Sequence, residues 1–214
     1  MTTQTNKPLK AITLYRNAKS GHCHRVQLML EFLRLPYKVV EVDMANAAHK
    51  EPLFLSMNIF GQVPVIDDDG TIVSDSNGIL VYLISQYAAN SDWLGNSPVQ
   101  KAQIQRWFSV AAGELAYGPA HARLVSVFGA SIDHELAKRR AHNLLTTMDA
   151  HLSDQSFLVG DAISAADVSC YSYIAHAPEG EVGLSAFPHV QGWLKRIEKQ
   201  AQFVAMASSP VLAQ

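Results

Sequence analysis

The sequence has few cysteines and no long apolar run, and each shortage excludes a class of protein. Cys23 and Cys170 are the only cysteines among 214 residues, without a Cys-x-x-Cys pair, so neither a disulfide framework nor a zinc site is expected. The longest apolar stretch, around Ile79–Ile84, is far shorter than the roughly 20 residues that cross a bilayer. The polar start of the chain lacks the apolar core of a secretory signal. We therefore expect a cytoplasmic protein with no membrane partner.

Charge is also scarce, and it is nearly balanced. The chain has 17 Lys and Arg against 19 Asp and Glu, a net charge of −2, with 17% charged and 48% hydrophobic residues. This composition favours a folded core over disorder. Phosphate binding requires a basic surface, so no nucleic-acid partner is expected. The sequence has no GxGxxG, Walker, GxSxG or HExxH motif, which disfavours nucleotide, serine-hydrolase and metal chemistry.

The first third of the chain alternates between strand and helix patterns. Ala11–Tyr15 is a β-rich run, and the apolar stripe behind it predicts a helix that Pro36 ends. The residues of that stripe are Val26, Met29, Leu30 and Leu33. Tyr37–Val42 is typical of a second strand, and another helix is predicted at about His49–Asn58.

A hairpin and a helix follow. Val63–Ile66 and Thr71–Val73 are short apolar runs, and Asp69-Gly70 between them favours a tight turn. A helical stripe begins directly after Ser76. The order βαβ, helix, ββ, helix predicts a small mixed sheet covered by helices, which we place in an α/β domain at residues 1–88.

The remainder of the chain has only helical patterns. Residues 89–98 are rich in Asn, Ser, Gly and Pro and predict a linker, which leaves residues 99–214 for an all-helical domain. Gly118-Pro119 predicts a kink or restart in its first helix, and Leu136–His151 predicts a long helix.

A capping box is the best local signature of this half. Ser164 and Asp167 can each bind the backbone amide of the other, and Ile163 and Val168 occupy the positions of a hydrophobic staple. The box predicts the start of a buried helix, and a last helix is predicted after Pro188.

In order and spacing, these motifs resemble those of cytosolic glutathione transferases. The resemblance depends on the α/β segment, Val63-Pro64, the Asp75-Ser76 pair and the box at Ser164, and it extends from about Lys10 to Phe203. It implies a thioredoxin-like, glutathione-binding N-terminal domain followed by an all-α C-terminal domain. It also implies glutathione as co-substrate, no metal, and a homodimer.

The resemblance makes Ser20 the candidate catalytic residue. Serine-type transferases of the phi, theta and zeta kinds, which Ser20–Val26 resembles, carry their catalytic serine directly before the first helix. Its hydroxyl would donate to the glutathione sulfur and favour the thiolate. Lowering a thiol pKa of about 8.5 by ~2 units requires about 2.7 kcal/mol, and one hydrogen bond to a charged group contributes about 1.5–3 kcal/mol. Without the resemblance, a simple N-cap is the better interpretation of Ser20.

Two other residues compete for this role. Cys23 lies three residues into the same helix, where a thiol pKa can be depressed, and omega- and beta-type relatives use a cysteine near this turn. Tyr15 ends the first strand, where tyrosine-type classes carry their hydroxyl.

The alternative functions are a glutathione-dependent thiol–disulfide or peroxide reductase, an isomerase of the zeta kind, or a non-catalytic glutathione-binding protein.

The segment before the hairpin is a candidate glutathione-binding loop. Thioredoxin-like folds have a cis-proline at the position of Pro64, and the backbone of the preceding residue, Val63, binds the cysteinyl part of glutathione. Asn58–Val63, which includes Gln62 as a further candidate, resembles the family's N-P-x-G-x-V stretch, with Ile59 in place of proline.

Two charged pairs complete the candidate binding site. Relatives carry Glu-Ser or Gln-Ser where this chain has Asp75-Ser76, and the pair holds the γ-glutamyl end of glutathione. A helix N-terminus suits a carboxylate, and Asp75 would pair with the α-ammonium. His49-Lys50 matches a His-Lys pair of phi-type relatives that binds the glycine carboxylate.

Together these residues predict an enzyme that conjugates glutathione to small hydrophobic electrophiles. The electrophile pocket should lie between the domains, and its possible walls are Trp107, Tyr117, His121 and Phe128. Core packing is the ordinary interpretation of Trp107 and Phe128.

Overall fold

The computed structural model describes residues 10–210, which form a four-stranded mixed sheet with three helices, followed by a helical half. The strands are β1 (Ile12–Arg16), β2 (Tyr37–Glu41), β3 (Val65–Asp68) and β4 (Thr71–Ser74). The helices are α1 (Gly21–Phe32), α2 (Pro52–Met57), α3 (Ser76–Tyr87), α4 (Pro98–Ala112), α5 (His121–Phe128), α6 (His134–His151), α7 (Ala165–Ala175) and α8 (Pro188–Glu198). The predicted fold class is confirmed.

The sheet brings the ends of three strands together. Its order is β2-β1-β3-β4, with β1 and β2 parallel and the other neighbours antiparallel. Tyr15 pairs with Val65, which in turn pairs with Ser74. The loop after β1, the loop before β3 and the loop after β4 therefore meet at one end of the sheet.

Strand alternation separates two packing faces. Leu14 and Ile66 are buried in the main core with α1 and α3. Tyr15 and Val65 point the other way and pack in a smaller cluster with Phe54 of α2. The sheet is thus covered on both faces, by α1 and α3 on one and by α2 on the other.

The hairpin turn has the predicted conformation. Asp69 and Gly70 both have positive φ, 50° and 94°. A two-residue turn between right-twisted strands requires this at both positions, and Asp-Gly tolerates it.

The helix predicted at about His49–Asn58 is wrong as a single element. The segment forms a short 3-10 turn, Ala48–Lys50, and then the separate helix α2. Pro52 is the first residue of α2, and Glu51 before it is extended with ψ of 151°. A proline disfavours helical backbone in the residue that precedes it, so the helix cannot run through.

The other predicted breaks and starts in the helical half are confirmed. Ala116–Ala120, which contains Gly118 and Pro119, is a π-helical turn between α4 and α5. The Ser164 amide donates to the Asp167 carboxylate over 2.8 Å, which closes the capping box of α7. This helix is buried over residues 165–174 and packs against α1, α3 and α4, so it joins the two halves.

None of the helices formed by residues 10–210 combines the length and the apolar character needed to span a bilayer.

Candidate active site

Four loops that carry predicted site residues meet at one end of the sheet. His22 Nδ1 at the start of α1 lies 3.2 Å from Ser76 Oγ at the start of α3. A Cβ on Gly61, in the loop before β3, would lie only 2.6 Å from the carbonyl oxygen of His49, in the connection after β2. Ser20 follows β1 at the same end. The fold therefore brings the predicted segments together at one end of the sheet.

Ser20 caps α1, the role that its position alone favours. It is extended, with φ of −88° and ψ of 120°, and its Oγ accepts a hydrogen bond from the Cys23 amide over 3.4 Å. The Ser20 amide donates to the Asn17 carbonyl over 3.0 Å, which closes the turn before the helix. Because Oγ is the acceptor in the cap, the half-buried hydroxyl keeps its hydrogen as a donor, and in this structure that donor faces the Cys23 sulfur.

Cys23 has the wrong environment for a reactive thiolate. Its side chain is 1% exposed, and burial raises the pKa of its thiol to about 11. Hydrogen bonds from Ser20 and from the Asn17 amide oppose this shift without reversing it. The thiol is protonated near neutral pH, so the structure gives no support to redox chemistry at Cys23.

The loop before β3 contains the predicted cis peptide bond between Val63 and Pro64. The side-chain amide of Asn58 makes two hydrogen bonds to the backbone of this loop. Its Nδ2 donates to the Gln62 carbonyl over 2.8 Å, and its Oδ1 accepts from the Phe60 amide over 3.1 Å. The backbone next to the cis bond is therefore held in one conformation.

The His49-Lys50 pair packs onto the same loop. Lys50 Nζ donates to the carbonyls of Phe60 and Gly61 over 3.0 and 3.1 Å. His49 is half-buried, and its Nδ1 is buried without a hydrogen-bond partner among residues 10–210. Both residues thus lie beside the cis-proline loop.

Gly61→Ala should be strongly destabilising, because two penalties coincide at this position. Gly61 has φ of 56°, and a Cβ would clash with the His49 carbonyl. We expect the free energy of unfolding in urea to fall by about 2–4 kcal/mol. Gly160→Ala is the matched control, since Gly160 has φ of 77° but open space around its Cβ position, and about 1 kcal/mol is expected there. Equal losses in the two variants would contradict the close approach.

Asp75 and Ser76 form the start of α3. Asp75 is the N-cap, and its Oδ1 accepts from the Gly78 amide over 2.8 Å. Its φ of 69° is unusual for a residue with a side chain, a strain of about 1–3 kcal/mol that such positions carry at functional sites. Ser76 is the first helical residue and is buried, while Asp75 is exposed.

His22 and Arg25 of α1, for which the sequence predicted no role, both contact Ser76. Arg25 is 1% exposed, and its Nη1 donates to Ser76 Oγ over 2.7 Å and to Asn77 Oδ1 over 2.9 Å. Within residues 10–210 it forms no ion pair with a carboxylate. Burial, and next the charge of Arg25, lower the pKa of His22 to about 3, so His22 is neutral. The start of α3 therefore has a buried positive charge behind it, and an anion there would be stabilised.

The remaining candidates fall in different places. Tyr15 packs in the smaller cluster of the sheet. Trp107 is buried and its indole donates to a backbone carbonyl over 3.0 Å, so it is a core residue. Tyr117 and Phe128 are 51% and 46% exposed, and the His121 ring stands edge-on to Tyr117 at 5.1 Å. No cluster of His, Cys, Asp or Glu within the described part of the chain could hold a metal ion.

Comparisons with known proteins agree with this geometry. The sequence pattern of the glutathione S-transferase N-terminal domain matches residues 20–86, and that of the C-terminal domain matches residues 104–201. A glutathione S-transferase of Arabidopsis thaliana is 31% identical over 197 residues, which cover 85% of this chain and 89% of that protein. Glutathione S-transferase 3 of Zea mays is 28% identical over 208 residues, which cover 92% of this chain and 91% of that protein.

A solved structure has the same architecture. The glutathione S-transferase from Pseudomonas fluorescens superimposes with a TM-score of 0.86 at 29% identity, covering 92% of this chain and 99% of that one. The thioredoxin-like domain followed by an all-α domain is thereby confirmed. The chain belongs to the glutathione S-transferase family.

Proposed function

We propose that this transferase ionises the thiol of glutathione at Ser20 and conjugates it to small hydrophobic electrophiles. The observation that carries the proposal is the position of the Ser20 hydroxyl. It lies at the N-terminus of a 12-residue helix, at the sheet end that also holds the cis-proline loop and the start of α3. A hydroxyl donor and the helix amides both stabilise a thiolate at such a point.

The reaction needs no general base from the protein. His22 is neutral and too weakly basic to hold the thiol proton, so that proton passes to solvent. The thiolate sulfur then forms the bond to the electrophilic carbon. A leaving group departs with its bonding electron pair, and in an addition to an enone the displaced π electrons take a proton from solvent. The protein contributes a higher thiolate fraction and the proximity of the two substrates.

Glutathione would lie along the loops at the end of the sheet. We assign the glycine carboxylate to His49 and Lys50, which flank the cis-proline loop. The backbone of Gln62 and Val63, fixed by Pro64, would bind the cysteinyl part. Opposite charges and backbone amides then match each portion of the peptide with a fixed partner.

The γ-glutamyl end would bind at the start of α3. Its carboxylate matches Ser76 and the helix amides, with the buried charge of Arg25 behind them. Its α-ammonium matches the exposed carboxylate of Asp75. This assignment uses the strained backbone of Asp75, which orients the side chain at the helix start.

Asp75→Asn separates this binding role from simple capping. Asparagine caps helices as well as aspartate and tolerates positive φ, so the urea stability should change by less than about 0.5 kcal/mol. Loss of the charge should raise KM for glutathione about threefold with little change in kcat. An unchanged KM would leave Asp75 as a cap only.

Conjugation itself is tested with a panel of electrophiles. The wild-type protein is incubated with glutathione and an activated haloarene, an alkyl halide or an enone, and the thioether product is measured by mass spectrometry. We expect product well above the uncatalysed rate for at least one of them. A protein that binds glutathione but accelerates none of these reactions would be a binding protein.

Several finer assignments follow from the same proposal. We place the domains at residues 1–88 and 99–214 with a linker at 89–98, and we propose that Tyr117, His121 and Phe128 line the electrophile pocket. We further propose a homodimeric detoxification enzyme of the cytoplasm. Both cysteines are free and buried, which fits a glutathione-rich reducing compartment. Sedimentation equilibrium tests the dimer.

A further inference from the structure

A buried arginine of the helical half contacts the loop that carries Ser20. Arg123 on α5 has a side chain that is 2% exposed, and each of its nitrogens has a partner. Nε donates to Glu179 Oε2 over 2.6 Å, Nη1 donates to the Lys19 carbonyl over 2.8 Å, and Nη2 donates to Ser209 Oγ over 2.9 Å. One guanidinium therefore joins three segments that are far apart in the sequence.

Glu179 is itself held in place by further donors. Its Oε1 accepts from His176 Nδ1 over 2.8 Å and from the Ser209 amide over 2.9 Å. The turn that carries Glu179 lies so close to α5 that a Cβ on Gly180 would be 2.6 Å from the Arg123 amide nitrogen. A buried ion pair whose remaining atoms are all hydrogen-bonded has one well-defined arrangement.

The contact to Lys19 falls directly before the proposed catalytic residue. Locally, the loop is held by bonds between its own residues, from the Ser20 amide to Asn17 and from the Lys19 amide to the Asn17 side chain. The Ala18 amide also donates to Glu41 Oε2 of β2 over 3.1 Å, and Arg123 adds a contact from a helix of the other half of the molecule. A shift of the Lys19 carbonyl would move the next residue, Ser20, because the two share a peptide unit.

The C-terminal segment is part of the same arrangement. His24 on α1 lies 2.8 Å from the Val204 carbonyl through Nε2, and Ser209 is bound by both Arg123 and Glu179. The C-terminal segment thus runs beside α1 and is held near the loop that precedes this helix.

We propose that Arg123 is a positioning residue for Ser20, which holds the Lys19 carbonyl and so fixes the serine hydroxyl at the start of α1. The C-terminal segment, through Ser209 and Glu179, keeps the guanidinium in the orientation that this contact needs. This inference rests on the proposed role of Ser20 in ionising the thiol. In this role Arg123 acts through the Lys19 carbonyl and not on the substrates directly.

Full-length Arg123→Met and Arg123→Lys test the inference, with exposed Arg139→Met as the matched control. The readouts are kcat, KM for glutathione, and the pKa of the bound thiol, measured from the ultraviolet absorbance of the thiolate. We expect Arg123→Met to raise the bound-thiol pKa by about one unit and to lower kcat about tenfold, with KM within about twofold. Lysine should restore part of the loss, because its ammonium can still donate to the Lys19 carbonyl.

Glu179→Gln keeps the test decisive if Arg123→Met does not fold. Glutamine has nearly the same size as glutamate but no negative charge, so it holds the Arg123 guanidinium less firmly. We expect the pKa of the bound thiol to rise here too, by less than in Arg123→Met. Misfolding of a fraction of molecules lowers the apparent kcat without changing the thiol pKa of the folded ones. A wild-type thiol pKa in folded Arg123→Met or Glu179→Gln would therefore overturn the positioning role.

The wild-type protein and Ser20→Ala distinguish this failure from a failure of the proposed function. If wild-type protein lowers the thiol pKa and Ser20→Ala does not, the role of Ser20 stands and the Arg123 variants decide the inference. If wild-type protein and Ser20→Ala give the same thiol pKa, the role of Ser20 fails, and the inference fails with it.

Discussion

Ser20→Ala is expected to lower kcat/KM for conjugation about 50-fold at pH 6.5, while the affinity for glutathione changes less than about threefold. The methyl group cannot donate to the sulfur, so the bound thiol should return to a pKa of about 8.5. At pH 6.5 a thiol with a pKa near 6.5 is about half ionised, whereas one near 8.5 is about 1% ionised. Steady-state kinetics against one electrophile, with a separate glutathione binding measurement, give both numbers.

Two further replacements of Ser20 separate donation from helix capping. Ser20→Thr keeps a hydroxyl and should retain most activity. Ser20→Asp still caps α1 but has no hydroxyl hydrogen and adds a negative charge beside the thiolate, so it should be inactive and yet stable. Activity in the aspartate variant would mean that only the cap is needed.

Cys23→Ser is the matched control for the thiol chemistry. Cys23 is buried and its thiol is protonated near neutral pH, so its loss should leave conjugation within about twofold of wild type. The reverse pattern, with an active Ser20→Ala and an inactive Cys23→Ser, would favour the redox alternative.

Asp167→Ala should cause the largest loss of stability of any change considered, about 3–5 kcal/mol in urea unfolding. The fully buried carboxylate accepts from the amide and hydroxyl of Ser164, from the Leu158 amide and from the Trp193 indole, over 2.8–2.9 Å. Burial raises the pKa of Asp167, and these four donors oppose that shift. Alanine would leave all four donors buried without an acceptor.

Asp161→Ala is the control for this prediction, because Asp161 is exposed in the segment that leads into the same helix. It should change the free energy of unfolding by less than about 0.5 kcal/mol. If Asp167→Ala cost no more than about 1 kcal/mol, the capping box would not be an anchor of the helical half.

Local chemistry explains why much of the fold could be predicted from the sequence. Ser20 at a helix start, Asp69-Gly70 at a hairpin turn and the Ser164–Asp167 box each depend on residues within a few positions of one another. The strand and helix order then follows from hydrophobic periodicity. The cis bond before Pro64 was different, because only the family resemblance favoured it.

Long-range polar contacts explain what could not be predicted. Arg25 meets Ser76 across 51 residues, and Arg123 meets Lys19 across 104, and no local pattern indicates either pair. The wrong single helix at His49–Asn58 has a local origin, because Pro52 disfavours helical backbone at Glu51 and hydrophobic periodicity does not report this effect.

The pKa of the glutathione thiol bound to the wild-type protein tests the central claim most directly. It is measured by titrating the complex and following thiolate absorbance in the ultraviolet, with free glutathione in the same buffers as reference. The account predicts a pKa about 2 units below that of the free thiol, which is about 8.5. A bound thiol with the same pKa as the thiol of free glutathione would contradict the proposal that Ser20 ionises glutathione.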